Sequence, residues 1–335
     1  MKNKLGRWAP FVQFLANKSK LVLTTHVNPD GDALGCQAAL AEYLRRSGKE
    51  AHIINSDATP GFFQFLDPDR KIRRLDPQST ALIAEAEGCI VVDVAEWKRL
   101  GDLAAPLRQH GLPTACIDHH RVAQPLGEVQ VIDPTVSSTG ELVYEFLTAV
   151  GPLTPSMADA LYTCLLTDTG SFRYNNTTEQ TFRIAADLLR FGARARFIYG
   201  EIYESYSAER MRLLGSLLVD LRFDCQNRFC WFVLSQDLLR RTGAQPWEAE
   251  GFSEIPNVIR GVELSVMFTE TPDGKVKISF RSKGRLPVRP LAESFGGGGH
   301  DFAAGAVLAL PLEQATAIVV SSTVAYMENR HPSLD

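Results

Sequence analysis

One short stretch of the sequence brings together three side chains of the types that bind metal ions. His26, Asp30 and Asp32 follow directly on an apolar, β-branched run. Pro29 and Gly31 interrupt the segment, which predicts a loop after a buried strand. Two ionised carboxylates placed close together repel each other unless a cation lies between them. An isolated Asp-Gly-Asp sequence is also typical of a solvated turn before a helix, so the rest of the chain must decide between the two interpretations.

Three further segments end in acidic or histidine residues. Asp93 ends one apolar run, the sequence Asp118-His119-His120 ends another, and Asp168 lies at the end of a predicted helix. Strands that alternate with helical patterns form a parallel sheet, and such sheets bind ligands beyond the carboxyl ends of their strands. We therefore expect these side chains to converge in one crevice, which favours metal binding over a solvated turn at the first segment.

The side chains of this group indicate which metal they would hold. Carboxylates dominate, imidazoles supplement them, and no thiol lies at these turns, which favours manganese, with magnesium or cobalt as alternatives, over a structural zinc ion. The candidates are too many for one ion and suffice for two ions that share a carboxylate. Two ions about 3.5–4 Å apart can activate a water molecule and hold a phosphoryl oxygen. We therefore expect two divalent metal ions as cofactors.

Length and composition exclude several classes of protein. The chain has 335 residues, a formal net charge of −4 at pH 7 and 45% hydrophobic residues. Two domains are expected at this length, and no global positive charge indicates a large nucleic-acid duplex as partner. No apolar run approaches the length of a membrane span. The cysteines form no Cys-x-x-Cys pair and most lie in apolar runs, which predicts buried free thiols and a cytoplasmic protein.

The order of apolar runs and helical patterns predicts an α/β fold in two parts. Residues 1–185 are expected to form a parallel sheet with helices on both faces. Residues 186–214 have a mostly helical pattern typical of a linker. Residues 215–335 are expected to form a smaller α/β domain that contains a hairpin with a Thr-Pro-Asp-Gly turn. The active site is expected in the cleft between the two domains.

The motifs of the first part resemble those of the DHH phosphoesterase family, which is named for an Asp-His-His sequence. Asp118-His119-His120 matches that motif, and the segment 26–32 matches the family's first motif. Asp93 matches the second motif, and the Thr-Asp-Thr-Gly sequence at residues 167–170 matches the fourth. The resemblance continues into the second part, where a Gly-Gly-Gly-His sequence and an Ala-Ala-Gly sequence at residues 303–305, which we expect to form a turn, resemble the DHH-associated domain. It therefore spans nearly the whole chain.

The resemblance implies a role for each residue of the group. The first ion would be held by His26, Asp30 and Asp93. The second would be held by Asp32, Asp93, His119 and Asp168, so that Asp93 bridges the two ions. The implied catalytic residues are Asp118, which would steady the histidine turn, and His120, which would face the substrate phosphate. Cys36 departs from the family, where serine is common, and is expected to affect helix packing more than chemistry.

The second part carries the candidate residues for substrate binding. A glycine-rich turn can expose backbone N–H groups as an anion-binding nest, and a basic cluster could hold a second phosphate or a terminal nucleotide. A flexible loop and a solvated basic face are the alternatives. The residues concerned are Arg281, Ser282, Lys283, Arg285, Gly297, Gly298, Gly299 and His300. Two aromatic residues, Phe172 and Tyr174, could stack on a base, and core packing is equally expected for Phe172.

Within the family, the compact two-domain form resembles the bacterial nano-RNase and pAp-phosphatase group. The resemblance implies that short RNA oligonucleotides and 3′,5′-bisphosphoadenosine (pAp) are substrates. It implies no membrane and no obligatory protein partner, and a homodimer is compatible with it. The alternatives are a RecJ-like single-strand exonuclease, a linear or cyclic dinucleotide phosphodiesterase, and a nucleotide-binding regulator without turnover. RecJ-like enzymes carry extra nucleic-acid-binding domains, for which this chain has no room.

Overall fold

A computed structural model describes residues 6–122 and 124–330 of the chain. The chain divides into two compact units, Met1–Ser205 and Tyr206–Asp335, and each contains a six-stranded sheet. No helix within the described residues is both long enough and apolar enough to cross a membrane. The two units are described separately below, and the domain bounds expected from the sequence stay a prediction.

The first unit is built on a parallel sheet whose strand order is β3-β2-β1-β4-β5-β6. The strands are β1 (Lys20–Thr24), β2 (Glu50–Asn55), β3 (Ile72–Arg74), β4 (Gly88–Val92), β5 (Thr114–Asp118) and β6 (Val129–Ile132). The sequence predicts all of them except β3. That strand is too short to show an apolar alternation, and none of its residues is fully buried.

Helices cover both faces of this sheet, which confirms the predicted fold class. They are α1 (Ala9–Ala16), α2 (Gly31–Arg46), α3 (Pro77–Glu85), α4 (Ala104–Gln109), α5 (Thr139–Val150), α6 (Pro155–Asp168), α7 (Glu179–Arg190) and α8 (Ala195–Tyr203). Because successive side chains of a strand point to opposite faces, Leu21 and Leu23 pack in a core with Phe146 of α5. The side chain of Val22 packs on the other face, in a core with Leu107 of α4.

The order of the strands places a crevice in the middle of this sheet. From β1 the chain moves outward to β3, returns to β4 beside β1, and then moves outward to β6 in the other direction. In open α/β sheets, ligands bind outside the carboxyl ends of the strands at such a reversal. The two strands at the reversal, β1 and β4, are those followed by His26 and Asp93.

The second unit contains a mixed sheet with the strand order β11-β12-β10-β9-β8-β7. The strands are β7 (Arg222–Asp224), β8 (Phe229–Leu234), β9 (Leu264–Glu270), β10 (Val276–Ser282), β11 (Gly298–His300) and β12 (Ala303–Leu308). The helices are α9 (Ala208–Val219), α10 (Gln236–Thr242), α11 (Arg289–Ser294) and α12 (Leu312–Arg330). Strands β9 and β10 are antiparallel neighbours, which confirms the predicted hairpin. Its turn contains Gly274 with a positive φ of 76°.

The segment expected to be a linker, residues 186–214, is helical, and its helices divide between the two units. Helix α8 belongs to the first unit, where Ile198 and Ile202 pack with Phe63 and Leu166. Helix α9 belongs to the second unit, where Leu213 packs in a core with residues of α10 and β8. An amphipathic helix is stabilised mainly by the face that it buries, so each helix is part of the unit that covers its apolar face.

The expected Ala-Ala-Gly turn at residues 303–305 is wrong, because these residues begin strand β12. The glycine run before them is close to that strand and forms β11 in part. A side chain at Gly297 would collide with the carbonyl oxygen of Gly305, and one at Gly299 would lie 2.7 Å from the carbonyl oxygen of Ala303. The absence of side chains therefore permits close approach of two strands.

Candidate metal centre

His26 lies just beyond strand β1, is 5% exposed and faces two carboxylates. Its Nδ1 atom lies 2.8 Å from the backbone oxygen of Val27. A proton on Nδ1 donates to that oxygen and leaves the lone pair of Nε2 available. Nε2 lies 3.3 Å from Oδ2 of Asp93 and 3.8 Å from Oδ2 of Asp30. The imidazole is therefore held in the orientation that a metal ligand needs.

Asp30 and Asp32 have different surroundings although they flank one glycine. Asp30 is the N-cap of α2, and its Oδ1 accepts hydrogen bonds from the N–H groups of Asp32 and Ala33, both at 3.1 Å. A capping carboxylate stabilises a helix start. Asp30 therefore caps a helix, as the turn interpretation expects, and also lies close to His26. Asp32 is 1% exposed. Its carboxylate accepts hydrogen bonds from the backbone N–H groups of Thr139 and Gly140, at 2.7 and 2.9 Å.

The carboxylate of Asp93 lies close to all three histidines of the candidate group. Asp93 follows β4, is 2% exposed, and has a positive φ of 59°, a conformation that is uncommon outside glycine and recurs at functional sites. Besides its contact with His26, its Oδ1 atom lies 3.6 Å from Nε2 of His119 and 3.7 Å from Nδ1 of His120. The same oxygen accepts a hydrogen bond from the hydroxyl of Thr139 at 2.9 Å.

Asp118, the first residue of the Asp-His-His sequence, holds His120 through two hydrogen bonds. Asp118 ends strand β5 and is fully buried. Its Oδ1 atom accepts hydrogen bonds from the backbone N–H of His120 at 3.1 Å and from Nδ1 of the same residue at 2.8 Å. Nε2 of His119 lies 3.4 Å from Oδ2 of Asp168, which ends helix α6. The backbone oxygen of Asp168 accepts a hydrogen bond from the amide of Asn176.

The nitrogen and oxygen atoms of these residues form overlapping groups of three, each within 4.8 Å. Three such groups lie at this crevice: His26, Asp30 and Asp93; Asp93, His119 and His120; Asp32, His119 and Asp168. The structure thus brings together every residue that the sequence singled out as a metal ligand in the first unit. Within the described residues, three buried atoms here have no hydrogen-bond partner: Nε2 of His119, Oδ2 of Asp118 and Oδ2 of Asp168.

The electrostatics of the crevice fit a divalent cation. Burial, followed by the charges of neighbouring carboxylates, raises the pKa of Asp93 well above its ordinary value. The same two causes raise the pKa of Asp168 to about 9, and burial also raises the pKa of Asp32. Buried carboxylates that repel one another lose their protons readily only when a positive charge lies among them. The unpartnered atoms and these pKa directions therefore fit a site for metal ions.

Asp118 differs from the other acidic residues of the crevice. Burial alone would raise the pKa of its carboxyl group, but the hydrogen bond and the charge of His120 outweigh burial, so that the pKa lies below its ordinary value. A carboxylate that stays ionised holds the proton of the neighbouring imidazole on Nδ1. Asp118 therefore orients His120.

Two neighbours of the group were not identified as site residues from the sequence. Thr139 and Gly140 begin helix α5, and 107 residues separate Thr139 from Asp32. A Ser-Ser-Thr sequence signals a helix start but not the carboxylate that the helix will meet. Cys36, expected to affect helix packing more than chemistry, packs with its thiol 3.8 Å from Sγ of Cys164 and also 3.7 Å from Oδ1 of Asp32.

The aromatic candidates have different surroundings. The ring of Phe172 stacks on Phe182 with a centroid distance of 5.3 Å and also contacts Tyr162. It packs against the core of the first unit, which favours the packing interpretation for Phe172. The side chain of Tyr174 is 54% exposed and remains a candidate for base stacking.

The substrate-binding candidates of the second unit lie on adjoining strands and a loop. Arg281 of β10 pairs with Ala303 of β12, which in turn pairs with His300 of β11. Paired residues of neighbouring strands project from the same face, and adjacent strands lie about 4.8 Å apart. Arg281 and His300 therefore lie in one row, two strands apart.

The remaining polar candidates of the second unit differ in exposure and partners. Nε of Arg281 lies 3.6 Å from a carboxylate oxygen of Glu254. Lys283 donates a hydrogen bond to the backbone oxygen of Ile259 at 2.5 Å. Ser282 is buried, whereas Arg285 is exposed. Of the two arginines in this cluster, Arg285 is exposed and Arg281 is partly buried.

Comparison with known proteins identifies the class of protein that this fold and crevice define. Residues 20–165 match the family model of the DHH family N-terminal domain, and residues 238–322 match that of the DHHA1 domain. The chain belongs to the DHH family.

The similar proteins match along most of their length. The chain is 31% identical over 310 residues to the bifunctional oligoribonuclease and PAP phosphatase NrnA of Thermus thermophilus, covering 90% of this chain and 88% of that protein. It is 29% identical over 290 residues to the protein of the same name from Bacillus subtilis, covering 85% and 88%. The crystal structure of an exopolyphosphatase-related protein from Bacteroides fragilis superposes with a TM-score of 0.90 at 28% identity, covering 98% of this chain and 97% of that one.

Proposed function

We propose that this protein is a two-metal phosphoesterase that cleaves very short oligoribonucleotides to mononucleotides and removes the 3′-phosphate of pAp. The observation that carries the proposal is the convergence of carboxylates and imidazoles on Asp93 at the reversal of strand order. The substrate class is supported by the two NrnA proteins, whose names state these activities and which match along most of both chains.

Two sets of residues would hold the ions. His26, Asp30 and Asp93 form the first set; Asp32, Asp93, His119 and Asp168 form the second. When bound, divalent ions supply Lewis acidity and positive charge for the attack of water on a phosphoryl group. We propose manganese, with magnesium or cobalt as alternatives, because carboxylates dominate the ligands and imidazoles supplement them. Nε2 of His119 and Oδ2 of Asp168 are buried without a hydrogen bond and lie 3.4 Å apart, which supports this use of the second set.

His120 would act on the substrate rather than on an ion. Its Nδ1 atom is hydrogen-bonded to Asp118, so Nε2 remains for contact with a phosphate or for a proton that the leaving oxygen takes up. The hydrogen bond to a carboxylate that stays ionised fixes the tautomer and the orientation of the ring. The side chain of His120 is 42% exposed, which leaves it accessible to a substrate.

The second unit would bind the part of the substrate that does not react. Arg281 and His300 lie in one row of its sheet, and the exposed Arg285 follows β10. Cationic side chains and backbone N–H groups bind phosphates. Free thiols at all six cysteines support a reducing compartment, and we propose the cytoplasm.

A time course of product formation tests the proposal. Purified protein with Mn²⁺ is incubated with a diribonucleotide, a pentaribonucleotide, pAp and a long single-stranded DNA. We expect rapid release of mononucleotides from the dinucleotide and of phosphate from pAp, with little action on the long strand. The Asp93→Ala variant is the matched control for a contaminating nuclease.

Each alternative function has its own signature when a cyclic dinucleotide and a series of salt concentrations are added to that experiment. Degradation of the long strand, with an affinity that falls steeply with salt because many phosphates are contacted, would favour a RecJ-like exonuclease. Tight binding of pAp without turnover would favour a nucleotide-binding regulator. Cleavage of cyclic dinucleotides in preference to linear ones would favour a cyclic-dinucleotide phosphodiesterase.

A further inference from the structure

Thr139 contacts Asp93, which the two sets of candidate ligands share, and Asp32, which belongs to the second set alone. Its hydroxyl donates to Oδ1 of Asp93 at 2.9 Å, and its backbone N–H donates to Oδ2 of Asp32 at 2.7 Å. Thr139 and both aspartates are at most 2% exposed. One buried residue thus connects a carboxylate that follows β4 with a carboxylate on the first turn of α2.

The position of Thr139 in helix α5 explains how it reaches both groups. The first N–H groups of a helix have no partner within the helix. Ser138 occupies the N-cap of α5, yet its side chain makes no capping hydrogen bond. The N–H groups of Thr139 and Gly140 donate to Asp32 instead. Asp32 therefore accepts the hydrogen bonds of the first two N–H groups of α5. In this position the hydroxyl of Thr139, the first residue of α5, reaches Asp93.

Close packing of α5 on α6 maintains this arrangement. A side chain at Gly140 would collide with Cβ of Cys164 in α6. Glycine at this position lets the start of α5 approach α6 closely enough for both N–H groups to contact Asp32. Packing alone does not require a hydroxyl group on residue 139, because a methyl group would fill the same volume. The hydroxyl is needed only for the hydrogen bond to Asp93.

We propose that Thr139 is a positioning residue that sets the orientation of the Asp93 carboxylate and couples it to Asp32. Partners that orient ligands in this way raise metal affinity, and their loss typically costs about 10–100-fold in affinity or activity. The inference rests on the metal assignment of the proposed function, but it concerns metal binding and not the substrate. Thr139 contacts ligand side chains and no reacting atom.

The test measures Mn²⁺ binding to the metal-free full-length protein by isothermal titration calorimetry. Thr139→Val removes the hydroxyl at nearly constant volume and keeps the N–H bond to Asp32. We expect its Mn²⁺ affinity to fall about 10–100-fold, whereas Thr139→Ser, which keeps the hydroxyl, should bind nearly as the wild type does. Thr163→Val is the matched control, since Thr163 is equally buried and its hydroxyl donates to the backbone oxygen of Asp159 at 2.9 Å.

Electron paramagnetic resonance of the Mn²⁺-loaded variants gives a readout that a purely structural effect would not change. If Thr139 couples the two carboxylates, Thr139→Val should lose the signal of two interacting ions in favour of isolated Mn²⁺, and Thr139→Ser should restore it. If Thr139→Val fails to fold by circular dichroism, the comparison of Thr139→Ala with Thr139→Ser replaces it.

Two results would overturn the inference. One is wild-type affinity and an unchanged resonance signal in Thr139→Val, and the other is equal weakening in Thr139→Val and Thr139→Ser. Failure of the proposed function looks different. In that case the wild type would bind Mn²⁺, with Thr139→Val weaker, yet hydrolyse neither dinucleotide nor pAp.

Discussion

Nε2 of His26 lies 3.3 Å from Oδ2 of Asp93, and the two residues follow neighbouring strands of the parallel sheet. These are the strands between which the strand order reverses. The contact therefore lies where an open α/β sheet provides its ligand crevice. The backbone of Asp93 adopts a positive φ of 59° to reach it, and such strain persists only where surrounding structure enforces it.

Replacement of Asp93 by alanine tests its proposed bridging role. We expect Asp93→Ala to lose about 10³-fold or more in kcat/KM, since metal ions supply several kcal/mol of transition-state stabilisation and each 1.36 kcal/mol is tenfold. Bound manganese, measured by plasma emission spectroscopy after dialysis, should fall together with activity. Unchanged occupancy of two ions per chain in the variant would contradict the assignment.

Asp118 should matter less than Asp93, because it contacts His120 and would bind no ion. We expect Asp118→Ala to lose about 10–100-fold in kcat, the usual effect of removing a residue that orients another. The hydrogen bond at 2.8 Å to Nδ1 of His120 fixes the tautomer and the orientation of the ring. The Nδ1–H resonance of His120, followed by NMR, should therefore shift in Asp118→Ala. An unchanged resonance in that variant would show that the carboxylate does not hold the ring.

The pH dependence of stability follows from the raised pKa of the buried carboxyl groups. The pKa of Asp168 in the folded metal-free protein is about 9, against about 3.9 in an unfolded chain. Between these values the folded state binds more protons than the unfolded state, so this group favours unfolding as the pH rises. The metal-free protein should thus lose stability from pH 5 to pH 8, and metal ions should restore more of it at pH 8.

Thermal melts with and without Mn²⁺ at both pH values measure this effect. Each kcal/mol corresponds to about 2–4 °C for domains of 150–250 residues. Asp168→Asn cannot ionise at this position, so its metal-free form should show a smaller loss from pH 5 to pH 8. An equal pH dependence in the variant and the wild type would contradict the raised pKa of Asp168.

Substitutions in the second unit should lower the turnover of nucleotide substrates more than the turnover of a small ester. We expect His300→Ala and Arg281→Ala to lower turnover of dinucleotides and pAp while manganese content stays constant, because remote binding groups orient the substrate. Bis-p-nitrophenyl phosphate lacks the remote groups and should be hydrolysed nearly as fast as by the wild type. Lys277→Ala is a suitable control, because Lys277 is an exposed cation on the same strand, β10. Equal losses on both kinds of substrate would show that the second unit does not bind the distant part.

The thiols provide a check on the fold that needs no activity. Five of the six cysteines are buried and Cys225 is partly buried, and burial raises the pKa of Cys164 to about 12. Since the thiolate is the reactive form, the native protein should react with Ellman's reagent at pH 8 through about one thiol. All six should react in guanidinium chloride. Rapid reaction of several thiols in the native protein would contradict the packing around Cys36 and Cys164.

The local sequence pattern is sufficient to predict much of the fold. Five of the six parallel strands, the hairpin and most of the helices are predictable from the sequence because each has a periodic apolar pattern or a turn with known preferences. Strand β3 and the antiparallel pairing of β11 with β12 are not, since three-residue strands have almost no pattern of their own. The turn expected at residues 303–305 is part of strand β12, because these residues pair with β11 on one side and with β10 on the other.

The sequence by itself determined which residue types follow which strands, and so predicted His26, Asp93 and His119 as a group with the chemistry of a metal site. Only the tertiary structure decided the distances among them and the residue that connects them. Thr139 reaches Asp32 and Asp93 across the packing of α2, α5 and α6. Hydrogen bonds between residues that are distant in sequence depend on how the elements pack, and no local pattern encodes that packing.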